Sequence, residues 1–303
     1  MKNIKRIIRL VIVCSAFWNF SSVAAPSNIS LTKNMTEINH MTAGTVMTDS
    51  VDDLATGGSN FAVYKDVQPG TAGTLLSNYM KTVYKTSLYP ELDPYIYRAF
   101  DLIEQNQTLN DPIVVYTAAS KDELLKFRNY FNGYYGFTHE FRVTGYMKNN
   151  NTYLAVFNGN GQTPQLINEY YQKVNRVQTI ANALKGNSDD NTVENIMQYI
   201  HNNIQYDLSI PEKDKEEKIK SYYAIFDTNK TICYGFSLAV HHLAAMNGIP
   251  STLEKGYYTK PDGAMAPHAW NTIFYHGSMK FCDTTGGSTR ILDTVPKKYV
   301  KFS

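Results

Sequence analysis

Cysteine is the scarcest reactive residue in this chain, with three among 303 residues, Cys14, Cys233 and Cys282. Charge is nearly balanced, 29 basic against 27 acidic residues, which argues against the basic face a nucleic-acid partner would require. After the first two dozen residues no apolar run reaches the roughly 18 residues of a membrane span. There is no HExxH and no phosphate-cradling glycine loop. His139 and His201 have no ligand-like neighbours at metal spacing, and His241 and His242, consecutive on a helix, point in different directions. No cofactor and no metal are therefore expected.

The amino terminus has its own character. Lys2, Lys5, Arg6 and Arg9 precede the apolar run Leu10 to Trp18, and the small residues Ser21, Ser22, Ala24 and Ala25 follow. This pattern is that of a secretory signal peptide, with cleavage expected after Ala24. Export would place the protein outside the cytoplasm, secreted or in a bacterial periplasm or cell surface, with no integral membrane segment once the signal is removed. The four leader cations exceed the formal charge of +2, so the remainder is slightly acidic. Cys233 and Cys282 would then share an oxidising compartment, where a disulfide is the simplest reading. Their local sequences assign them different roles instead.

Residues 25–60 are rich in Ser, Thr, Asn, Asp and Gly without sustained period and read as a flexible leader, with order beginning near Phe61. Residues 61–190 read as a smaller α/β region. It has helical spacing at Leu75–Leu88 and Tyr95–Ile103, a strand at Pro112–Tyr116, and a capping box at Ser120–Glu123. Strands near Phe141–Met147 and Tyr153–Phe157 and a long helix from Gln165 to Leu184 follow. The run Lys185–Asp190 stops that helix and marks the boundary to residues 191–303. Asn191 is expected to cap the next helix, whose apolar face carries Val193, Ile196, Met197, Ile200 and Ile204. The 23 tyrosines read mostly as half-buried packing residues.

The stretch TICYGFSLAVHHLAAMNGIP sets Cys233 at the start of an apolar helix that stops at Asn247-Gly248. At a helix N-terminus, unpaired N–H groups and the positive dipole end favour a thiolate over a thiol. Downstream, Pro267–Tyr275 and Met279–Thr285 form a hairpin around His276-Gly277-Ser278. With a two-residue turn at Gly277-Ser278, alternation puts His268 and Asp283 on one face, about four positions out of register, and Cys282 on the other. Cys233, His268 and Asp283 thus supply a nucleophile, a base and an orienting carboxylate.

Five blocks, Cys233-Tyr-Gly-Phe-Ser, Asn247-Gly-Ile-Pro250, Lys255-Gly-Tyr257, His268-Ala-Trp-Asn271 and Asp283-Thr-Thr285, together resemble the catalytic core of the transglutaminase-like superfamily, especially its exported bacterial members. The resemblance spans about Asn191 to Gly287 and includes Tyr199–Asp207. Met279 or Phe281 stands where the family usually carries a tryptophan, and Cys282 precedes the aspartate. The implied fold is α+β, a papain-like core with the nucleophile helix against an antiparallel sheet. The implied activity is cysteine-dependent acyl transfer on protein or peptide amides, by cross-linking, deamidation or peptide hydrolysis, the substrate being a cell-wall peptide or another organism's protein. The oxyanion would be held by the Cys233 N–H and a second donor, for which Tyr206 is the candidate, with Trp270 as a cleft wall. A surface interaction protein that keeps the fold without turnover is the rival reading.

Overall fold

The computed structural model describes residues 75–149, 152–211, 214–285 and 290–301. The expected signal peptide and leader lie outside them, as does the point at which order was expected to begin. In chain order the elements are α1 (Leu75–Val83), α2 (Asp93–Gln105), β1 (Ile113–Ala118), α3 (Lys121–Tyr134), β2 (Val143–Asn149), β3 (Thr152–Phe157) and α4 (Thr163–Ala183). They are followed by α5 (Asp189–Asn203), β4 (Gln205–Tyr206), α6 (Lys215–Tyr223), α7 (Ile225–Thr228), β5 (Lys230–Thr231) and α8 (Cys233–Met246). The chain then runs through β6 (Ser251–Thr259), β7 (Met265–Tyr275), β8 (Ser278–Asp283), β9 (Arg290–Leu292) and β10 (Tyr299–Lys301). The class is α+β. A three-stranded antiparallel sheet has the order β1-β3-β2, a five-stranded one the order β10-β6-β7-β8-β9, and β4 and β5 form a short parallel pair. Among the described residues no helix is long and apolar enough to cross a membrane.

Local chemistry explains the helix starts. Ser120 Oγ accepts from Glu123 N at 3.1 Å while Glu123 Oε2 accepts from Ala119 N at 3.0 Å, a capping box displaced by one residue on its return bond. The α5 cap is Ser188, whose backbone is extended and whose Oγ accepts from Asn191 N at 3.1 Å. Asn191 is therefore the third helical residue and not the cap expected for it. The earlier start brings Asp189 and Asp190 into the first turn, where their charges complement the helix dipole.

Helix α8 is apolar on every side, and of its 14 residues all but Cys233 are buried. Such a helix needs partners all round. It packs on β6 and β7 from one direction and on α4 and α5 from others. One buried apolar cluster runs from Leu76 to Cys282 and draws on residues from both sides of residue 190. His241 and His242 belong to this packing, at 4% and 2% exposure. Burial holds both well on the neutral side, His241 falling to about 3, and the His242 ring stacks on Phe137 at 4.2 Å.

The sheet side is fixed by one amide. Asn271 Nδ2 on β7 donates to Ser237 O of α8 at 3.0 Å and to Thr252 O of β6 at 2.9 Å, tying helix and both strands together. Below Cys233, Gly235 leaves space that Thr231 fills: a Cβ there would lie 1.9 Å from Thr231 Oγ1 and 2.8 Å from its Cβ and Cγ2. Thr231 cannot withdraw, since its hydroxyl donates to Ser221 O at 2.9 Å in a fully buried position. Gly235→Ala should therefore destabilise the protein by about 1–3 kcal/mol through overpacking. Chemical denaturation of the purified variant measures this, and an unchanged midpoint would show that the α8 start can yield.

Candidate active site

Cys233 is the first residue of α8, following Ile232 in extended conformation. Gly235 and Phe236 return their N–H groups to the Ile232 carbonyl at 2.9 and 3.3 Å. The N–H groups at Cys233 and Tyr234 are thus the first-turn donors oriented to the helix mouth. The thiol is half-buried, and neither it nor the buried Cys282 is in a disulfide.

His268 and Asp283 come from neighbouring strands. The β7–β8 hairpin turns on His276 and Gly277, with φ of 49° and 74°, and Tyr275 pairs with Ser278. Positive φ at both central residues defines the tight hairpin turn whose twist matches the strands. Asp190 holds the unusual histidine there, accepting from His276 N at 2.8 Å and contacting its Nδ1 at 2.8 Å. The turn thus sits one residue earlier than the Gly277-Ser278 expected from sequence. Parity survives this shift: Asn271 pairs with Cys282, so Asp283 falls beside Trp270, two positions from His268 and not four. His268 and Asp283 share a face, and Cys282 points away into the core, its sulfur 3.6 Å from that of Met197.

His268 Nε2 bonds Asp283 Oδ2 at 3.0 Å, with the two residues 9% and 6% exposed. Cys233 is the other group that raises the pKa of the same imidazole. With Nε2 engaged by the carboxylate, Nδ1 is the nitrogen left for the sulfur. Burial alone would lower the His268 pKa, but the bonds to Asp283 and Cys233 and their charges outweigh it and raise it to about 10. Burial likewise pushes the Asp283 carboxyl up, and donors reverse this too: His268, Tyr299 O–H at 2.6 Å and Thr285 N at 2.9 Å leave it below the usual carboxylate range. Burial drives the Cys282 thiol upward, with a smaller contribution from the Asp283 charge.

The remaining sequence candidates fall close by. Tyr206 stands on β4, whose parallel partner Thr231 leads into Cys233, and its half-exposed ring lies 6.3 Å from that of Phe236. Trp270 is next to the site but only 1% exposed. It backs the imidazole, ring centroids 6.3 Å apart and 24° from parallel, and does not line an open cleft. Sequence reasoning missed Tyr299, the Asp283 donor on the edge strand, and Tyr222, a buried tyrosine within electrostatic range of Cys233. Neither lies in a recognisable motif. No group of His, Cys, Asp and Glu suited to a metal ion occurs among the described residues.

Helix α8, strands β6 and β7, and with them Cys233 and His268, fall inside a family match that ends one residue before Asp283. Residues 176–282 match the family model of the transglutaminase-like superfamily, and this part of the chain is a transglutaminase-like core. No curated protein matches the chain. Among solved structures, the chain is similar to a TGase at 20% identity and TM-score 0.32, over 52% of this chain and 47% of the other. It is also similar to a protein from Cytophaga hutchinsonii provisionally described as a cysteine protease, at 19% identity and TM-score 0.32, over 43% of this chain and 42% of the other. A protein from Parabacteroides distasonis, provisionally described as a protease, aligns at 15% identity and TM-score 0.30 over 50% and 35% of the two chains. The chain thus spans less than half the length of each, and alignments at such scores carry nothing about activity.

The ring contacts of His268 make its titration a direct readout. Cys233→Ala removes a neighbour that raises the imidazole pKa, so His268 should titrate lower than in the parent protein. Asp283→Asn removes the charge and weakens the bond on the other nitrogen, so it should move in the same direction. Histidine-selective NMR titration measures both, and a His268 midpoint indifferent to Cys233→Ala would separate the sulfur from the ring.

Proposed function

We propose that the protein is a cysteine-dependent acyl-transfer enzyme acting on protein or peptide amides. The observation that carries this reading is the meeting of Cys233, the one accessible residue of an otherwise buried helix, with a buried histidine whose far nitrogen is held by a buried carboxylate. The raised pKa supports a His268 that holds a proton at neutral pH. In the reaction Cys233 Sγ attacks the amide carbonyl as a thiolate, the former thiol proton residing on His268. The C–N bond breaks as His268 delivers that proton to the leaving amine or ammonia, leaving a thioester. An acceptor, water or an amine, then attacks the thioester while His268 Nδ1 takes its proton, and the thiolate is released. Asp283 stays ionised throughout, orienting the ring and stabilising the imidazolium. The Cys233 N–H is one oxyanion donor, with Tyr206 proposed as the second.

The acceptor follows from charge. A lysine acceptor calls for a carboxylate near the thioester, and the candidates beside the strand that carries His268 are Glu254 on β6 and Asp262 in the turn between β6 and β7. Glu254 is ion-paired to Lys301 at 2.5 Å, and Asp262 accepts from Ala264 N at 2.9 Å in its own turn. Both carboxylates already have partners, which favours water and hence deamidation or peptide hydrolysis. The export signal read in residues 1–24 would place this chemistry outside the cytoplasm, on a cell-wall peptide or another organism's protein.

Incubation with a glutamine-rich protein, peptidoglycan peptides and a fluorescent primary amine tests the reading. The expected result is a mass gain of about 1 Da or chain cleavage, with little amine incorporation. Cys233→Ala and His268→Ala should abolish turnover while folded. Cys282→Ala should keep most activity at a cost of about 1 kcal/mol. A folded Cys282→Ala as inactive as Cys233→Ala would overturn the assignment of the nucleophile. A wild-type protein inert on every substrate would favour the interaction-scaffold reading.

A further inference from the structure

Tyr299 lies outside the segment that matches the family, on the edge strand β10, yet its side chain ends at the centre of the site. Its hydroxyl donates to Asp283 Oδ2 at 2.6 Å, the same oxygen that accepts from His268 Nε2 at 3.0 Å. The residue is 6% exposed and its ring is enclosed by Phe281 at 4.7 Å, Trp270 and Tyr258 at 5.3 Å, and His268 at 5.8 Å. β10 reaches this position by pairing Tyr299 with Tyr258 and Lys301 with Gly256 on β6. Gly256 permits the approach, since a Cβ there would lie 2.0 Å from Val300 O and 2.5 Å from the Trp270 ring.

A buried carboxylate needs donors on both oxygens to stay charged and to hold one orientation. Thr285 N serves Oδ1 at 2.9 Å, and Tyr299 with His268 serves Oδ2. We infer that Tyr299 is a positioning residue for the Cys233–His268–Asp283 triad, its phenol fixing the Asp283 carboxylate so that the His268 ring presents Nδ1 to the sulfur. This rests on the acyl-transfer reading of the site. Burial, and then the Asp283 charge, raise the Tyr299 pKa, so the group remains a neutral donor.

The charged and titratable groups around Asp283 are His268 from β7, Tyr299 from β10, Arg290 as its cross-strand partner on β9 and Cys282 beside it on β8; Lys298 caps the Tyr299 ring at 5.7 Å. Tyr299→Phe leaves all but the one donor in place and keeps the ring packing. In the full chain the variant should melt close to wild type and keep its KM, with kcat lower by roughly 10- to 100-fold through misplacement of the base. The Asp283 carboxyl, followed by 13C NMR, should titrate higher, because one of the donors that hold it ionised is gone. Val300→Ala, on the same strand but 40% exposed, should change neither quantity. A folded Tyr299→Phe with wild-type kcat, or with a change in KM alone, overturns the inference, as does an unshifted Asp283 midpoint. If wild type itself shows no turnover, the acyl-transfer reading fails, and the Asp283 titration still decides whether the phenol holds the carboxylate. Should Tyr299→Phe not fold, 3-fluorotyrosine at 299, a stronger donor of nearly the same shape, should move that midpoint down, and no movement overturns the inference.

Discussion

The whole arrangement depends on the burial of helix α8. A 14-residue helix with a single accessible side chain can exist only if other elements cover every face, and the sheet, α4 and α5 do so. That constraint fixes where the accessible residue emerges. Cys233 is held at the helix mouth by packing behind it, by Thr231 filling the space left by Gly235, and by Asn271 binding α8 to β6 and β7. The proposed nucleophile is thereby positioned by rigid elements and not by a loop, the condition for a reacting atom to meet a base at a set distance.

Electrostatics then decide what the fixed geometry can do. Taking an imidazole and a carboxylate out of water opposes the charge on each, and the loss is offset only where hydrogen bonds satisfy both. The site meets this condition for Asp283 through three donors, and for His268 through the carboxylate on Nε2, with Cys233 further raising the imidazole pKa. Cys282 shows the opposite case. It is one residue from Asp283, wholly buried beside Met197, and its thiol is driven towards the neutral form. The two cysteines among the described residues thus occupy opposite settings, a half-buried helix start for Cys233 and a fully buried strand interior for Cys282.

Much of this was legible in the residues. The hairpin parity that unites His268 with Asp283 and turns Cys282 away is common to both two-residue turns, so an error of one in the turn left the face assignment intact. The turn itself was misplaced because a positive φ at His276 is supported by Asp190, a tertiary contact far along the chain. Ser188 displaced Asn191 as the α5 cap because either residue can cap, and the choice belongs to the extended backbone entering the helix. Trp270 lies beside His268 but is not the cleft wall expected of it, because Tyr299 and Phe281 close over it. Tyr299 was invisible because its role arises from an edge strand brought across β6 at a glycine, which no local spacing encodes.

The central claim is that Cys233, activated through His268, forms a covalent acyl intermediate. Mass spectrometry of the intact, folded protein after exposure to an amide-mimicking acyl electrophile tests it most directly. The account predicts one adduct per chain, mapped to Cys233, absent from Cys282, and formed much more slowly in folded His268→Ala. An unmodified Cys233 whose thiol still reacts with a small alkylating agent, or equal modification of both cysteines, would contradict it.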